Sequence, residues 1–211
     1  MKTKFILGLA LVLSGYGRAA IVHPKAPEGG REIVSAQVLP KLQRNVSFPE
    51  GFHVEDLTIA EPCRDYAVGF TNVTAGQLLS AATPAAWRYL IIHGTNAIGA
   101  AELIADETNG NSLKYHRLDL GDFSDETLEA LRMAEQLPQV KKQDYEPRRL
   151  EITSLHFVAV WLHGESDDII MPLPNTYGRW NAYQPYSEKE MIKLLKPAAE
   201  RLMRFASAGR G

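Results

Sequence analysis

The sequence lacks the features that define several large classes of protein. Its 211 residues include one cysteine, Cys63, so no disulfide can form within the chain. A folded domain of this length buries roughly 70% of its unfolded surface and needs no disulfide to stabilise its core. In an oxidising compartment a lone cysteine is buried, exposed and reactive, or paired with another molecule, and we expect burial for Cys63. The 23 Lys and Arg residues do not exceed the 25 Asp and Glu residues, and without a concentrated basic face we expect no nucleic-acid partner.

Signature motifs of common enzymes are also absent. The chain has no Gly-x-Ser-x-Gly, His-Glu-x-x-His, Walker-type Gly-Lys-Ser/Thr, paired Cys-x-x-Cys or EF-hand loop. The usual serine hydrolases, zinc peptidases, nucleotide triphosphatases, thiol redox enzymes and calcium sensors therefore have no motif support. The segment 94–99 has two glycines but lacks the third glycine of a dinucleotide-binding loop. We expect no cofactor.

The first residues have the order of a secretory signal peptide. Lys2 and Lys4 precede a nine-residue apolar run, 5–13, and small residues follow it. A membrane-spanning helix needs about 20 residues, so this run predicts export without a membrane span in the mature chain. Cleavage after Ala19 is favoured over cleavage after Ala20, because the latter would place Arg18 third from the end of the leader. We predict a signal peptide at 1–19 and a periplasmic or secreted protein.

Removal of this leader would make the protein mildly acidic. It takes away three basic residues and no acid, which moves the formal net charge from −2 to −5. Anionic polymers and membrane surfaces attract clusters of Lys and Arg, so this charge weakens the case for either as a partner.

Hydrophobic patterning predicts an α+β fold. After an extended N-terminal segment at 20–30, we expect a single domain over 31–211, with a mostly antiparallel twisted sheet of hairpins packed by two or three helices on one face. A doubly wound parallel sheet is disfavoured, because 87–120 leaves no room for crossover helices. Strands are predicted at 52–59, 66–70, 87–93, 97–107, 112–120, 150–162 and 169–173, with a turn at Asn109-Gly110, and helices at 32–42, 74–82, 124–137 and from 187 onward.

A cluster of polar residues follows the strand pattern that ends at Leu162. His163, Glu165, Asp167 and Asp168 fall within six residues, and imidazole and carboxylates together can bind a divalent metal ion. The spacing matches no established metal motif. The alternative, which we favour, is a solvated hairpin turn whose side chains bond to local backbone.

Three other residues are candidates for acid–base chemistry. In the predicted strands, His156 shares a face with Val158 and Val160, and His93 ends another strand. If these histidines and His163 approached a carboxylate such as Glu102, they would form a catalytic or metal site. The alternative that we favour is a set of hydrogen-bonded histidines that support the interior.

A loop before the last helix is rich in aromatic residues. Aromatic rings with interspersed amides suit sugars, peptides or a protein surface. The alternative is that the rings cover the end of the sheet and fill the core. The candidate ligand-binding residues are Tyr177, Arg179, Trp180, Tyr183 and Tyr186.

Together these features predict an exported domain without catalytic activity that binds a protein, peptide or saccharide ligand through the sheet and this aromatic loop. One alternative is a secreted hydrolase that uses a histidine and carboxylate cluster, with or without a metal ion. The other is a structural subunit of an envelope assembly, docked through a strand edge or the last helix.

Overall fold

A mixed α+β fold built around one eight-stranded sheet organises the chain. The computed structural model describes residues 20–45, 53–106, 112–174, 176, 178 and 180–208. The predicted leader at 1–19 and the predicted turn at Asn109-Gly110 lie outside these residues. The strands are β1 (Leu57–Ile59), β2 (Cys63–Ala67), β3 (Thr83–His93), β4 (Asn96–Ala105), β5 (Leu113–Asp119), β6 (Tyr145–Ile152), β7 (Phe157–Gly164) and β8 (Asp168–Pro172).

The sheet consists of two antiparallel meanders joined side by side. The strand order is β5-β4-β3-β2-β6-β7-β8, with β1 paired to the end of β3. The meanders meet where β2 and β6 run parallel, with Arg64 opposite Arg148. A parallel pair needs a long connection, and the intervening strands and helix supply it here. The prediction of a mostly antiparallel α+β sheet is confirmed.

The predicted hairpin between strands at 52–59 and 66–70 is wrong. Both β1 and β2 pair with β3 instead of with each other: Leu57 lies opposite His93, and Cys63 lies opposite Arg88. With 11 residues, β3 is long enough to pair with both strands along one edge.

Helices cover both faces of the sheet. We call face A the side that carries Tyr89 and Phe157, and face B the side that carries Leu90 and Val158. The helices are α1 (Gly30–Ile33), which continues through a π-helical segment (Val34–Val38) into α2 (Leu39–Asn45), then α3 (Phe70–Thr74), α4 (Phe123–Ala134) and α5 (Glu188–Ala208).

The N-terminal helical segment, α3 and α5 pack on face A, whereas α4 packs on face B. The expected packing on one face is therefore corrected. The reason lies in β7, where every residue from Phe157 to Leu162 is buried. A strand that is apolar on both sides needs cover on both faces.

The helix boundaries follow local capping signals only in part. At α5, the N–H of Ser187 donates to Glu190 Oε2 at 2.9 Å, which confirms the predicted capping box. The predicted helix at 74–82 is wrong, because α3 ends at Thr74 and a short 3-10 turn (Leu79–Ala81) follows. Near the N-terminus, the π-helical segment precedes Pro40 and lets the helix continue past that residue.

Cys63 is buried at the start of β2, as expected. Among the described residues, none of the helices has both the length and the apolar character needed to cross a membrane.

Candidate functional site

Five neighbouring strands carry charged side chains on face B, at the end of the sheet that α4 leaves uncovered. α4 packs over the other end, against Leu90, Ala100 and Leu162. We call the charged side chains the buried charge network. Its members are Asp65 on β2, Arg88 on β3, Glu102 on β4, Arg117 and Asp119 on β5, and Arg149 and Glu151 on β6.

Arg88 lies at the centre of the network and is fully buried. It donates from Nη1 to Glu102 Oε1 at 2.5 Å and from Nη2 to Asp119 Oδ2. Asp65 Oδ2 lies 3.6 Å from its Nη1. One guanidinium thus bridges carboxylates from three other strands, an arrangement that satisfies a charge removed from water.

Two further arginines border this centre. Arg117 donates to Glu102 through two bonds, from Nε at 2.7 Å and from Nη2 at 2.8 Å. Arg149 donates from Nη1 to Glu151 at 2.8 Å and lies 3.5 Å from Asp65 Oδ2. The side chain of Arg117 is 54% exposed, whereas that of Arg149 is 4% exposed. The network therefore runs from the interior to the surface.

Burial changes the pKa values of ionisable groups at this end of the sheet. Loss of hydration raises the pKa of Asp65 to about 6, although Arg149 and Arg88 oppose that shift. Burial also opposes ionisation of Asp119, but the Gly121 N–H and Arg88 outweigh it and lower the pKa of that carboxyl. Burial, followed by the charge of Asp65, raises the pKa of the Cys63 thiol to about 12, so this thiol is held neutral.

Three buried polar atoms of the network have no hydrogen-bond partner in the described part of the chain: Asp65 Oδ1, Arg88 Nε and Arg149 Nε. An unpaired buried polar atom costs about 1–3 kcal/mol, so the network carries a cost in stability. Perturbed ionisable groups beside a cleft are the physical mark of a candidate binding or catalytic site.

An open cleft of about 330 Å³ adjoins the network, and we call it the charged cleft. The β5–α4 connection forms one wall, and β6 with β7 forms the other. Two guanidiniums and two carboxylates face a surface that also contains aliphatic and aromatic side chains. The lining residues are Arg117, Leu118, Asp119, Leu120, Phe123, Arg149, Glu151 and Val158.

Of the predicted catalytic residues, only Glu102 belongs to this site. His93 is exposed at the end of β3, where it pairs with Asn96. His156 is exposed in the turn between β6 and β7 with a φ of 48°, so its expected place inside a strand is wrong. The two histidines mark opposite ends of the sheet and do not converge.

His163 lies at the end of β7 and faces Asp168 on β8. Its Nδ1 is 2.8 Å from Asp168 Oδ1, which also accepts a bond from Trp161 Nε1 at 2.7 Å. The bond to Nδ1 orients the imidazole and leaves Nε2 for another group. In the described ranges, the contacts of His163 are with Asp168 and Trp161, and no hydroxyl or thiol is among them.

The four predicted metal ligands are not brought together. Asp167 accepts a bond from the Tyr145 hydroxyl at 2.6 Å, and Glu165 is exposed in the turn. Only His163 and Asp168 are paired. In the part of the chain that the structure describes, no group of three or more His, Cys, Asp or Glu residues is arranged to hold a metal ion.

The aromatic loop contacts the core. The ring of Trp180 packs edge-on against Phe157 at 5.1 Å, and the backbone of Tyr186 pairs with Ile170. Tyr183 packs beneath α4, and its φ of 60° is left-handed. Tyr177 and Arg179 lie outside the described residues. Trp180 also lines a cavity of about 620 Å³ beside α5, so a binding role for the loop stays a prediction.

Sequence reasoning missed most of the buried charge network, although one signal was present. Arg88 lies within a strand pattern whose same-face neighbours include Leu90 and Ile92. A charged residue among apolar neighbours on one face is costly to bury, and it predicts a partner on an adjacent strand. The identity of that partner depends on strand order, which a single sequence does not define.

The fold and the charged cleft define the class: a mixed α+β domain with a polar cleft on one face of its sheet. Comparisons with protein-family models, curated proteins and solved structures find no match to the chain.

Proposed function

We propose that this protein is exported, loses residues 1–19, and binds a small zwitterionic ligand with an apolar side chain, such as a free amino acid, in the charged cleft. It acts in the periplasm or outside the cell as a binding protein without catalytic activity. The observation that carries the proposal is the pairing of two guanidiniums with two carboxylates in one open cleft beside an apolar wall.

The charge of the lining favours a ligand with both signs of charge. A simple anion would be attracted by Arg117 and Arg149 but repelled by Asp119 and Glu151. A simple cation would be attracted by the two acids but repelled by the two arginines. A zwitterion satisfies both pairs, with its carboxylate at the arginines and its ammonium at the acids.

The apolar part of the cleft supplies the rest of the recognition. Phe123 at the start of α4 and Val158 on β7 supply the apolar side chains on this face. The side chains of Leu118 and Leu120 extend towards face A, where they approach Gly99. An aliphatic or aromatic ligand side chain placed against Phe123 and Val158 would remove their surface from water. Leucine and phenylalanine therefore fit the lining better than a charged amino acid does.

The contacts of Ala20 fit an amino terminus produced by cleavage after Ala19. The backbone N of Ala20 donates to Asp144 Oδ1 at 2.9 Å, and the carbonyl of Ala20 accepts from the Tyr145 N–H at 3.0 Å. Cleavage before Ala20 would turn this nitrogen into an α-ammonium group already placed on a carboxylate. Amino-terminal sequencing of the protein recovered outside the cytoplasm should begin at Ala20. Intact Met1 in that fraction would contradict cleavage, and confinement of the protein to the cytoplasm would contradict export.

Calorimetric titration with three matched probes tests the ligand class. L-leucine carries both charges, N-acetyl-L-leucine lacks the ammonium, and L-leucinamide lacks the carboxylate. We expect binding of L-leucine or L-phenylalanine and at least tenfold weaker binding of both blocked leucine derivatives, because each leaves one charged pair of the cleft unpaired. Equal binding of the three leucine probes, or no binding of either free amino acid, would refute the proposal.

Variants locate the binding in the cleft. Glu151→Gln removes one lining charge with little change in volume, and it should weaken binding of the zwitterion at least tenfold. His116→Gln is the matched control, because His116 is exposed on β5 and does not line the cleft. An equal loss in both variants would place binding elsewhere.

A secreted hydrolase is the second candidate function, and the pairing of His163 with Asp168 favours it. Asp168 orients the ring so that Nε2 could take a proton from water. Slow hydrolysis of an activated acetate ester, abolished in His163→Gln but retained in His116→Gln, would support this function. Equal rates in both variants would remove it.

A further inference from the structure

A row of four side chains crosses face A, on the opposite side of the sheet from the charged cleft. Trp87 on β3 lies opposite Arg64 on β2, Arg64 lies opposite Arg148 on β6, and Arg148 lies opposite Trp161 on β7. Neighbouring strands are about 4.8 Å apart, so the two arginines stand side by side between the two tryptophans. We call these four residues the arginine–tryptophan row.

Aromatic rings hold both guanidiniums. The guanidinium carbon of Arg64 lies 5.1 Å from the centre of the Trp87 ring, and that of Arg148 lies 4.5 Å from the Trp161 ring and 4.9 Å from the Tyr66 ring. Stacking of this kind fixes the plane of a guanidinium without using its N–H groups. The donors are therefore oriented in advance.

The ends of both guanidiniums are left for a ligand. Arg148 uses Nε to donate to Glu146 at 2.7 Å. Among the residues that the structure describes, no carboxylate lies within ion-pair distance of Arg64, and none pairs with the Nη atoms of Arg148. Like charges directly opposite each other on paired strands are destabilising unless an anion is shared between them.

The row lies between two apolar clusters on face A. Trp87 belongs to the cluster beneath the N-terminal helical segment, and Trp161 belongs to the cluster beneath α3 and α5. Arg64 is partly exposed, and the side chain of Arg148 is 15% exposed. A ligand group can therefore reach the guanidiniums while the flanking clusters limit the access of water.

We propose that Arg64 and Arg148 form a second binding site, which takes the doubly charged phosphate group of a ligand. Two guanidinium forks offer paired N–H donors in the geometry that a tetrahedral oxyanion accepts. Arg148 shares its charge with Glu146, whereas Arg64 has no carboxylate partner among the described residues. A doubly charged group therefore gains more from the two guanidiniums than a single carboxylate does. The site is independent of the charged cleft, which lies on face B, and does not rest on zwitterion binding.

Tryptophan fluorescence offers a direct measurement, because both arginines stack on tryptophans. Trp180→Phe removes the third tryptophan and leaves the emission of Trp87 and Trp161. In this background, inorganic phosphate at constant ionic strength should change the emission in a saturable way, and sodium chloride should not. Sodium acetate, as a singly charged oxyanion, should bind at least tenfold more weakly.

Substitutions assign the binding to the row. Arg64→Gln and Arg148→Gln should each weaken phosphate binding at least tenfold. Arg64→Lys keeps the charge and loses the fork, so it should also weaken binding. The control is Arg201→Gln, because Arg201 is exposed on α5 and lines a different cavity from the row. Thermal unfolding checks that each variant is folded.

Two results would overturn the proposal. One is a change in tryptophan emission that sodium chloride produces as well as phosphate does, in the protein with all four residues of the row intact. The other is a saturable phosphate response that Arg64→Gln and Arg64→Lys both leave unchanged, since both variants alter a residue that is partly exposed and keep the core intact.

Discussion

Arg88 on face B and Arg64 on face A are stabilised in opposite ways. On face B, Arg88 is fully buried and is surrounded by Asp65, Glu102 and Asp119. On face A, Arg64 is partly exposed and stacks on Trp87 without a carboxylate partner in the described residues. Counter-charge stabilises the guanidinium of face B, and an aromatic ring together with water stabilises that of face A.

This difference follows from the cost of removing charge from water. A fully buried guanidinium loses its hydration and needs several charged acceptors, whereas a partly exposed one keeps enough water to need none. Face B is consequently sensitive to the loss of any one partner. Face A keeps its donors available, which is the condition for binding an external anion.

The largest expected effect is the loss of stability in Arg88→Met, measured against the loss in Arg64→Met. Arg88→Met leaves three acids at a buried position without their shared partner, so we expect the free energy of unfolding to fall by about 3–5 kcal/mol. Arg64→Met removes a partly exposed charge from a tryptophan ring and should cost about 1 kcal/mol or less. Urea unfolding at neutral pH measures both. Similar losses in the two variants would show that the faces do not differ as described.

The second prediction uses pH to isolate the burial of one carboxylate on face B. Burial raises the pKa of Asp65 to about 6 from an ordinary value of 3.8. The folded state therefore binds this proton more tightly than the unfolded state, so the contribution of Asp65 to stability is greatest below pH 4 and is lost as pH rises to 6. At 1.36 kcal/mol per pKa unit, the loss is roughly 3 kcal/mol.

Other acids around Asp65 also change the stability with pH, so the measurement is a difference. The pKa values of Asp119 and Glu151 are lowered, and these acids add stability as pH rises. Subtracting the unfolding free energies of Asp65→Asn from those of the wild type at each pH removes their contribution. The difference should fall between pH 4 and 6. Asp56→Asn, at an exposed position, should give a flat difference, and a flat difference for Asp65→Asn would contradict the effect of burial.

The sequence predicts local features of this fold better than it predicts which strands are neighbours. The structure confirms predictions that depend on residues close together in the chain: the strand over 87–93, the strands on both sides of Asn109-Gly110 and the Ser187 capping box. The predicted hairpin of the first two strands fails because the choice of a partner strand depends on long-range packing.

The candidate site shows the same limit. Glu102 could be selected as an acidic residue near histidines, but its partners, Arg88 and Arg117, are set by the registers of β3 and β5 against β4. The packing of helices on both faces had a visible signal in the uninterrupted apolar run of β7. A strand with one solvent face alternates, and β7 does not.

The smallest expected effect concerns an exposed charge pair beside the first residue of β6, an inner strand of the sheet. If the mature chain begins at Ala20, its α-ammonium pairs with Asp144, and both residues are exposed. Asp144→Asn should then lower the free energy of unfolding by about 0.2–1 kcal/mol, the usual range for a surface pair. The loss should shrink in 1 M NaCl, where the Debye length is about 3 Å.

The matched control is a chain with a Gly-Ser extension before Ala20. It has no ammonium group at this position, so Asp144→Asn should lower its free energy of unfolding by less. Chemical denaturation of the four proteins, with and without Asp144 and with and without the extension, gives the pair energy as a double difference. A double difference of zero at low salt would show that the pair does not stabilise the mature protein, unlike the acids that surround Arg88 or the ring that contacts Arg64.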